Sequence, residues 1–403
     1  MHVLIIHQAF ASASEAGGTR HYEFARHLVS QGHRVSVVAG QVSYLTGAVV
    51  ADRTAAAEPG ITIVRPYTSR SPHKSFVHRA ISYLSFMASS FVAALRVRDV
   101  DVVVGTSPPI LQGATALVVA RLKRVPFVFE VRDLWPDFAI ELKILRNPFI
   151  IAGARWLERR LYKSADRLLV NSPGFIPHVQ AVSGRTPALI PNGADASLFS
   201  PAQSGARFRE QWGAAGRFVA LYAGAHGTAN DLETVLDAAK LLRDRSEILF
   251  VLVGDGKEKA ALEASARAAC LENVRFEPPQ AKEAMPDVVA AADVCLATLR
   301  DIPLFRTTYP NKVFDYMAAA KPTLVAIDGV IRQVVEESGG GVFVPPGDAR
   351  ALAETLAMLA TNRADCIHMG ERAREFVLRK FNRKDQAQSF CALLEDCAIE
   401  TAA

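Results

Sequence analysis

The first forty residues of the chain are MHVLIIHQAF ASASEAGGTR HYEFARHLVS QGHRVSVVAG, residues 1–40. Apolar runs at His2–His7 and Arg34–Ala39 predict two buried strands, and the apolar spacing between them predicts a helix over 20–31. Buried strands joined through a helix are typical of a parallel sheet with helices on both faces. The opening of the chain therefore predicts a doubly wound α/β unit.

The same alternation of strands and helices continues through the chain in two series. A proline-rich stretch, 187–201, separates them, and the second series begins with a strand at 218–222. The pattern predicts two doubly wound domains that face each other across a cleft, with ligands bound outside the carboxyl ends of the strands. We expect an N-terminal domain over 1–195, a C-terminal domain over 196–382, and a C-terminal helix over 383–403 that packs back on the N-terminal domain.

Charge is distributed unequally between the two halves of this 403-residue chain. Residues 1–199 hold 22 Lys and Arg against 13 Asp and Glu, whereas residues 200–403 hold 24 against 28. A basic half is typical of proteins that bind anionic lipid, nucleic acid or a phosphorylated ligand. Because the chain has no zinc finger, RNA-recognition signature or base-reading basic helix, we expect no nucleic-acid partner.

Two stretches of the first half combine cations with apolar residues. Segment 74–98 has Lys and Arg at both ends of an apolar middle, as an interfacial helix would, although its aromatic residues could equally face a domain core. Segment 142–151 is a second candidate. We expect no signal peptide, because the first apolar run is short and has little positive charge before it, and the longest uncharged stretch is too short to span a bilayer. We expect a cytoplasmic protein in peripheral contact with an anionic membrane.

Two glycine-containing turns follow predicted strands in the second half. The first contains Gly224, Gly227 and Asn230, and the second begins at Gly254. Glycine lets the backbone approach a ligand closely, although an ordinary tight turn has the same composition. These residues are candidates for a ligand pocket.

Segment 305–322 places polar residues beside an apolar helix. We predict that Asn311 caps a helix over 311–320 and that Asp315 shares its face. Arg306 and Lys312 flank the N-terminus of this helix, where positive charge is unfavourable unless an anion is bound. A diphosphate would supply that anion; a solvated loop is the alternative.

Candidate residues of the first half follow its strands as well. Gly17 and Gly18 lie in a small-residue loop before Arg20 and His21, and such a loop can bring backbone N–H groups to a ligand. Asp133 follows the strand Phe127–Val131, where it could act as a general base or simply cap a helix.

These motifs together resemble glycosyltransferase family 4, in order along essentially the whole chain. The matching segments are 16–21, 190–195, 254–256, 310–318 and 344–348. The resemblance implies a GT-B fold, a nucleotide-sugar donor held mainly by the C-terminal domain, an acceptor held by the N-terminal domain, and retention of anomeric configuration without a bound metal or other cofactor. It is strongest to bacterial enzymes of O-antigen, capsule and exopolysaccharide synthesis, N-acetylaminosugar transferases among them.

The chain departs from the family pattern at one acid. The family commonly carries two glutamates with seven residues between them; here Asp315 stands at the second position and Thr307 at the first. The resemblance implies that Asp315 contacts ribose hydroxyls, whereas Thr307 puts the usual first-acid contact to the donor sugar in doubt. The family's Arg and Lys after the first C-terminal strand are also missing, so Arg306 and Lys312 are their candidate replacements.

The function expected from the resemblance is transfer of a sugar, with N-acetylaminosugars one possibility, from a nucleotide-diphosphate donor to a lipid-diphosphate-linked saccharide. The donor would contact Gly224, Gly227, Asn230, Gly254, Arg306, Thr307, Asn311, Lys312 and Asp315. The acceptor would contact Gly17, Gly18 and Arg20, with Asp133 as the first catalytic candidate and His21 as the second. Two alternatives stay open: a nucleotide-sugar 2-epimerase of the same fold, and a non-catalytic nucleotide-sugar-binding subunit.

Overall fold

A computed structural model describes residues 1–15, 17–42, 47, 49, 54–69 and 76–402 of the chain. Contacts divide it into two compact units: unit 1 comprises Met1–Ala13, Gly17–Pro191 and Lys384–Ala403, and unit 2 comprises Ser14–Ala16 and Asn192–Arg383. The change of unit after Pro191 falls inside the proline-rich stretch 187–201. Ala16 and Lys74, which belong to two of the predicted segments, lie outside the described residues.

Unit 1 contains an eight-stranded sheet. Its strands are β1 (His2–His7), β2 (Arg34–Ala39), β3 (Thr54–Glu58), β4 (Ile61–Val64), β5 (Val102–Ser107), β6 (Phe127–Val131), β7 (Arg167–Val170) and β8 (Ala188–Leu189). Their order is β3-β4-β2-β1-β5-β6-β7-β8, and every pairing is parallel except that of β3 with β4. β1 and β6 are fully buried, as expected for strands covered on both faces.

The helices described in unit 1 connect these strands. They are α1 (Arg20–Ser30), α2 (Phe76–Arg96), α3 (Ile110–Lys123), α4 (Asp137–Glu141), α5 (Pro148–Ser164) and α6 (Ile176–Ser183). The last helix of the chain, numbered α15 below, also packs here: its Phe390 stacks on Phe24 of α1 with ring centroids 4.8 Å apart. Both rings lie in the core formed with β1 and β2.

Unit 2 contains a six-stranded sheet in which all pairings are parallel. Its strands are β9 (Phe218–Ala223), β10 (Ile248–Val253), β11 (Val274–Glu277), β12 (Val294–Thr298), β13 (Thr323–Ala326) and β14 (Gly341–Phe343), in the order β11-β10-β9-β12-β13-β14. The helices that follow in the chain are α7 (Ala206–Gln211), α8 (Leu232–Leu241), α9 (Lys259–Ala268), α10 (Met285–Ala290), α11 (Asn311–Ala318), α12 (Val330–Ser338), α13 (Ala349–Thr361), α14 (Arg363–Lys380) and α15 (Arg383–Ala402).

Each sheet puts several strand ends at one edge, because parallel strands have their carboxyl ends on the same side. In unit 2, β9 is central and lies between β10 and β12. In unit 1, β1 and β5 are central, with β6 beside β5. The loops after these strands carry the candidate site residues.

None of the helices in the described part of the chain is both long and apolar enough to cross a membrane. Helix α2, predicted as either an interfacial or a domain helix, buries one side through Ser82, Phe86, Ser90 and Ala94. Its other side exposes apolar side chains at helical spacing. They are Ile81, Leu84, Val92 and Leu95.

Candidate functional site

In unit 2, the end of β9 is tied to helix α11. The Tyr316 hydroxyl accepts a hydrogen bond from the Ala223 N–H (2.9 Å) and lies 3.1 Å from the Ala223 carbonyl oxygen. Tyr316 is buried, and Lys312 precedes it by four residues, so both side chains share one face of α11. This anchor brings the first turn of α11 to the carboxyl end of β9.

Lys312 occupies the space that the glycine after β9 leaves open. Its Nζ lies 3.8 Å from the centre of the Tyr222 ring and 2.7 Å from where a Cβ at Gly224 would stand. Burial lowers the pKa of Lys312 to about 7. A bound anion strongly stabilises the protonated form of an amine that has lost its hydration, because the anion replaces the interactions that water no longer provides.

The second glycine turn packs directly on the first. Gly254, at the end of β10, has φ of +147°, and a Cβ on it would stand 1.9 Å from the Gly224 carbonyl oxygen. Only glycine permits this approach together with this backbone conformation. The structure therefore brings three predicted residues together: Gly224, Gly254 and Lys312.

Asp315 and Asn311 form a second group on α11. Asp315 Oδ2 accepts from Lys282 Nζ (2.7 Å) and from Asn311 Nδ2 (3.4 Å), while Asn311 Oδ1 accepts from Arg383 (3.0 Å). The prediction that Asn311 caps the helix is wrong: the cap is Pro310, and the Asn311 side chain is used in these bonds instead. Lys282 holds the Asp315 carboxylate in place.

The remaining predicted donor residues lie in the loops around this site. Gly227 and Asn230 belong to the loop after β9, where the Asn230 carbonyl accepts from Thr298 at the end of β12 (2.5 Å). The Thr307 hydroxyl donates to the Leu304 carbonyl (2.6 Å). Arg306 is exposed and pairs with two carboxylates, Asp301 at 3.2 Å and Asp328 at 3.8 Å.

In unit 1, Arg20 and His21 at the start of α1 are held by a buried glutamate. Glu130 of β6 accepts from Arg20 Nε (3.0 Å) and from His21 Nε2 (2.5 Å), and all three side chains are buried. Arg20 also donates to the carbonyls of Ile190 and Pro191. Glu130 thus balances the positive charge at this helix N-terminus.

The pKa values in this network follow from its burial. Burial alone would raise the pKa of Glu130, but His21, Arg20 and Arg132 hold it well below its usual range. Burial also lowers the pKa of His21 in spite of Glu130, so that a neutral ring donates to a carboxylate. Arg20 and His21 are buried inside unit 1. That either residue contacts an acceptor stays a prediction.

Asp133 lies just beyond the end of β6, two residues after Val131. Burial raises its pKa to about 7, against the smaller lowering effects of Arg132 and of a hydrogen bond from the Leu134 backbone. Helix α4 begins at Asp137 and its cap is Pro136, so Asp133 does not cap it. A carboxylate with a pKa near neutrality is suited to accept a proton.

The two glycines of the N-terminal loop differ in what surrounds them. Gly17 has φ of +148°, and a Cβ on it would lie 3.1 Å from that of Ala11, whereas a Cβ on Gly18 would meet no described residue within 4 Å. In the described part of the chain, Gly18 therefore has room for a side chain.

The structure adds four residues to the predicted site. Tyr316 anchors α11, Lys282 binds Asp315, Glu130 binds Arg20 and His21, and the buried His226 ring, in the first glycine turn of unit 2, lies beside Gly254 of the second. Only Tyr316 was accessible to sequence reasoning, since it follows Lys312 at helical spacing. The others become neighbours only through the parallel sheets.

Two family models match the chain. A glycosyl transferase 4-like domain matches residues 16–193, and a glycosyl transferases group 1 domain matches residues 217–362. Over 383 residues the chain is 24% identical to WcaI of Escherichia coli strain K12, which is named as a colanic acid biosynthesis glycosyl transferase; the match covers 89% of this chain and 93% of that protein.

Solved glycosyltransferase structures share the fold. Sucrose-phosphate synthase from Thermosynechococcus elongatus matches with a TM-score of 0.80 at 18% identity, covering 100% of both chains. The Anabaena protein HepE in complex with UDP-glucose matches with a TM-score of 0.72 at 17% identity, covering 98% of this chain and 100% of that one. The predicted GT-B fold is thereby confirmed. With a 4-like domain followed by a group 1 domain on this fold, the chain belongs to glycosyltransferase family 4.

Proposed function

We propose that this glycosyltransferase moves a sugar from a nucleoside diphosphate sugar to a lipid-diphosphate-linked saccharide, with retention of configuration, during synthesis of a cell-surface polysaccharide. The name of WcaI, a relative along nearly the whole chain, supports the polysaccharide class. The UDP-glucose complex of HepE supports a nucleotide-sugar donor. N-acetylaminosugar nucleotides are the first donors to test.

The observation that carries the donor assignment is the position of Lys312. A partly buried ammonium stands at the N-terminus of α11, beside the glycine turn at the carboxyl end of β9. Ligands in parallel α/β sheets bind at such strand ends, and helix N-termini favour anions. We propose that Lys312 meets the charge of the departing diphosphate, so that no metal is needed for it.

The other candidate residues take roles around this contact. Asp315, held by Lys282, is proposed to bind the ribose hydroxyls, and Gly224 and Gly254 to offer close backbone approach. Arg306 is proposed to exchange its exposed carboxylate partners for the donor. In unit 1, Asp133 is proposed to accept the acceptor's proton.

The function is tested by incubating the protein with a panel of nucleotide sugars, with and without a bacterial lipid extract and with and without a chelator. Nucleoside diphosphate release that requires the lipid extract and survives chelation is the expected result. Formation of a free sugar or a new sugar nucleotide without lipid would identify an epimerase. A panel member that raises the thermal stability without any turnover would identify a non-catalytic binding subunit.

Lys312→Ala is expected to weaken UDP binding by about 1.5–3 kcal/mol, the range for a hydrogen bond to a charged group. Burial lowers the pKa of Lys312 to about 7, so near this pH part of the amine is neutral. That neutral amine must take up a proton when a diphosphate binds. UDP affinity of the wild type should therefore fall as the pH rises from about 7 to about 9, and this dependence should be weaker in the variant. Calorimetry measures both effects.

The matched control is Lys240→Ala on α8, where the lysine makes a solvent-exposed pair with Asp237. This variant should bind UDP as the wild type does. Equal affinity of wild type and Lys312→Ala, in folded proteins, would remove Lys312 from the donor site.

We propose in addition that unit 1 contacts an anionic membrane, and that α5 takes part. Phe149 is 83% exposed and Trp156 is 68% exposed, and they lie seven residues apart on one side of the helix. Exposed cations surround and follow them. They are Arg155, Arg159, Arg160 and Lys163. Large apolar side chains among cations are typical of an interfacial helix.

We expect the protein to bind vesicles containing phosphatidylglycerol about tenfold or more better than neutral vesicles at low salt, since each cation near such a surface contributes about 1 kcal/mol. High salt should release it. The double variant Phe149→Ser, Trp156→Ser should bind less, whereas Ile367→Ser, at an exposed apolar residue of α14, should not. If the protein sedimented equally with both vesicle types, the basic charge of the first half would act only in binding the ligand and not in binding a membrane.

A further inference from the structure

The imidazole of His226 is buried in unit 2. It lies in the loop after β9, its side chain is fully buried, and neither ring nitrogen has a hydrogen-bond partner among the described residues. A buried polar group without a partner destabilises the fold, since it has lost its water and gained nothing in exchange. Such groups are uncommon and call for a specific explanation.

The position of the ring is fixed through the main chain. The His226 N–H donates to the Asp255 carbonyl (2.8 Å), and the Glu258 N–H donates to the His226 carbonyl (2.9 Å). These bonds join the two glycine turns of unit 2. Tyr222 and Phe276 are its ring neighbours, with centroids 6.0 and 6.2 Å away. Both of these ring neighbours are aromatic.

The side of the ring that carries Nε2 faces the proposed donor residues. Nε2 lies 3.3 Å from where a Cβ at Gly254 would stand, and that same Cβ would overlap the Gly224 carbonyl. Lys259, whose Nζ donates to the Gly254 carbonyl (2.8 Å), adds a second cation to Lys312 at this place. Two lysines and two glycine turns thus lie near the His226 imidazole, which has no hydrogen-bond partner among the described residues.

The ring is neutral at ordinary pH. Burial lowers the pKa of His226 to about 4, with further lowering by Lys259 and Lys312 and a smaller opposing effect of Asp255. A neutral imidazole has one N–H donor and one acceptor nitrogen. It can therefore donate to an anionic oxygen without carrying a charge of its own.

We propose that His226 is a ligand-binding residue of the donor site, which donates a hydrogen bond to a phosphate oxygen of the nucleoside diphosphate. This inference rests on the proposed function and names a residue that the family resemblance did not supply. Because the ring is covered in this structure, the loop from Gly224 to Asn230 must shift when the ligand binds. The ring then gains a hydrogen bond that it lacks among the described residues, and this gain adds to the affinity.

The test compares wild type with His226→Leu by thermal shift and calorimetry, with UDP and inorganic pyrophosphate as probes. A ligand-binding role predicts opposite effects: the free variant is as stable as the wild type or more stable, since an unpartnered polar group has become apolar, while both probes bind roughly ten- to hundredfold more weakly. Deuterium uptake of the segment 224–230 should change on UDP addition in the wild type.

Two further variants separate this role from a structural one. His226→Gln keeps a donor and an acceptor near Nε2 and should recover part of the affinity. Thr228→Val, in the same loop, removes an exposed bond to Glu258 and should bind both probes as the wild type does. A His226→Leu protein that is less stable but binds both probes normally would overturn the inference, and so would normal binding by both His226 variants. If the wild type binds no nucleoside diphosphate at all, the proposed donor site itself fails.

Discussion

Asp133→Asn is expected to lower the rate of sugar transfer by about 10²–10⁴-fold, the range for loss of a general base. The proposed role of Asp133 is to take the acceptor's proton as its oxygen attacks, so the loss should fall on turnover. UDP affinity should change little, because the donor residues belong to unit 2. Steady-state kinetics with a saturating donor and the true acceptor measure the first effect, and calorimetry measures the second.

The pH dependence of transfer gives an independent check of this role. Because burial raises the pKa of Asp133 to about 7, the carboxylate takes up a proton as the pH falls through that value. Transfer by the wild type should therefore decline by about tenfold per pH unit below about pH 7 and level off above it. The Asn variant should lack this decline.

The matched control is Glu141→Gln, which removes an exposed carboxylate at the end of α4. Its rate and pH profile should be those of the wild type. Asn also relieves the burial of a charge, so Asp133→Asn should fold at least as stably as the wild type near neutral pH. Full transfer activity of the folded Asp133→Asn protein would exclude it as the base and leave His21 as the next candidate.

The fold could be predicted because the buried parallel strands carry a local signal. The strands His2–His7, Arg34–Ala39 and Phe127–Val131 were predicted with the limits that the structure gives them. Near-continuous apolar runs flanked by turn residues identify such strands without reference to their neighbours. The architecture of each half follows from this alternation alone.

The elements that prediction missed are short or polar. Strand β3 consists of small residues with one Glu and pairs at the antiparallel edge of its sheet, while α4, α6 and α7 span five, eight and six residues. Helices of this length show too few turns for an apolar period to be recognised.

The candidate site was predicted where its chemistry is local and missed where it depends on packing. Lys312 and Gly224 were found because helix starts and turns after strands have recognisable residues. Lys282, 33 positions before Asp315 in the chain, has no such signal. Glu130, the partner of Arg20, is 110 residues away in the chain and has no local signal either. Long-range ion pairs of this kind are invisible to pattern analysis.

Glu130→Leu is expected to destabilise unit 1 by about 3–5 kcal/mol, the range for breaking a buried ion pair by removing one partner. The substitution leaves the buried Arg20 guanidinium without its counter-charge and the His21 N–H without its acceptor. Urea unfolding followed by circular dichroism measures the loss. The control is Glu58→Leu: Glu58 pairs with Arg26 of α1 in a half-exposed position and accepts a hydrogen bond from the Tyr22 hydroxyl (2.7 Å), so its loss should cost about 1–2 kcal/mol, less than the loss of Glu130.

The stability gap between wild type and Glu130→Leu should also depend on pH. His21, Arg20 and Arg132 hold the pKa of Glu130 well below its ordinary value of 4.5, against the raising effect of burial. A carboxyl whose pKa is depressed by folding contributes stability that is fully present above the unfolded-state pKa and is lost as the pH falls through the folded-state pKa. The gap should therefore be largest near neutrality and narrow in acid.

A double variant, Arg20→Met with Glu130→Leu, shows whether the cost comes from the unpaired charge. Removing both partners takes away the stranded cation, so the double variant should be more stable than Glu130→Leu alone. It should not regain wild-type stability, because the carbonyls of Ile190 and Pro191 lose the hydrogen bonds that Arg20 donates to them. If the destabilisation of the double variant equals the sum of those of the two single variants, Glu130 stabilises unit 1 through packing and not by balancing the charge of Arg20. In that case Glu130 would not account for the cation at the start of α1, and direct contact of Arg20 with an acceptor would become the better explanation for its position.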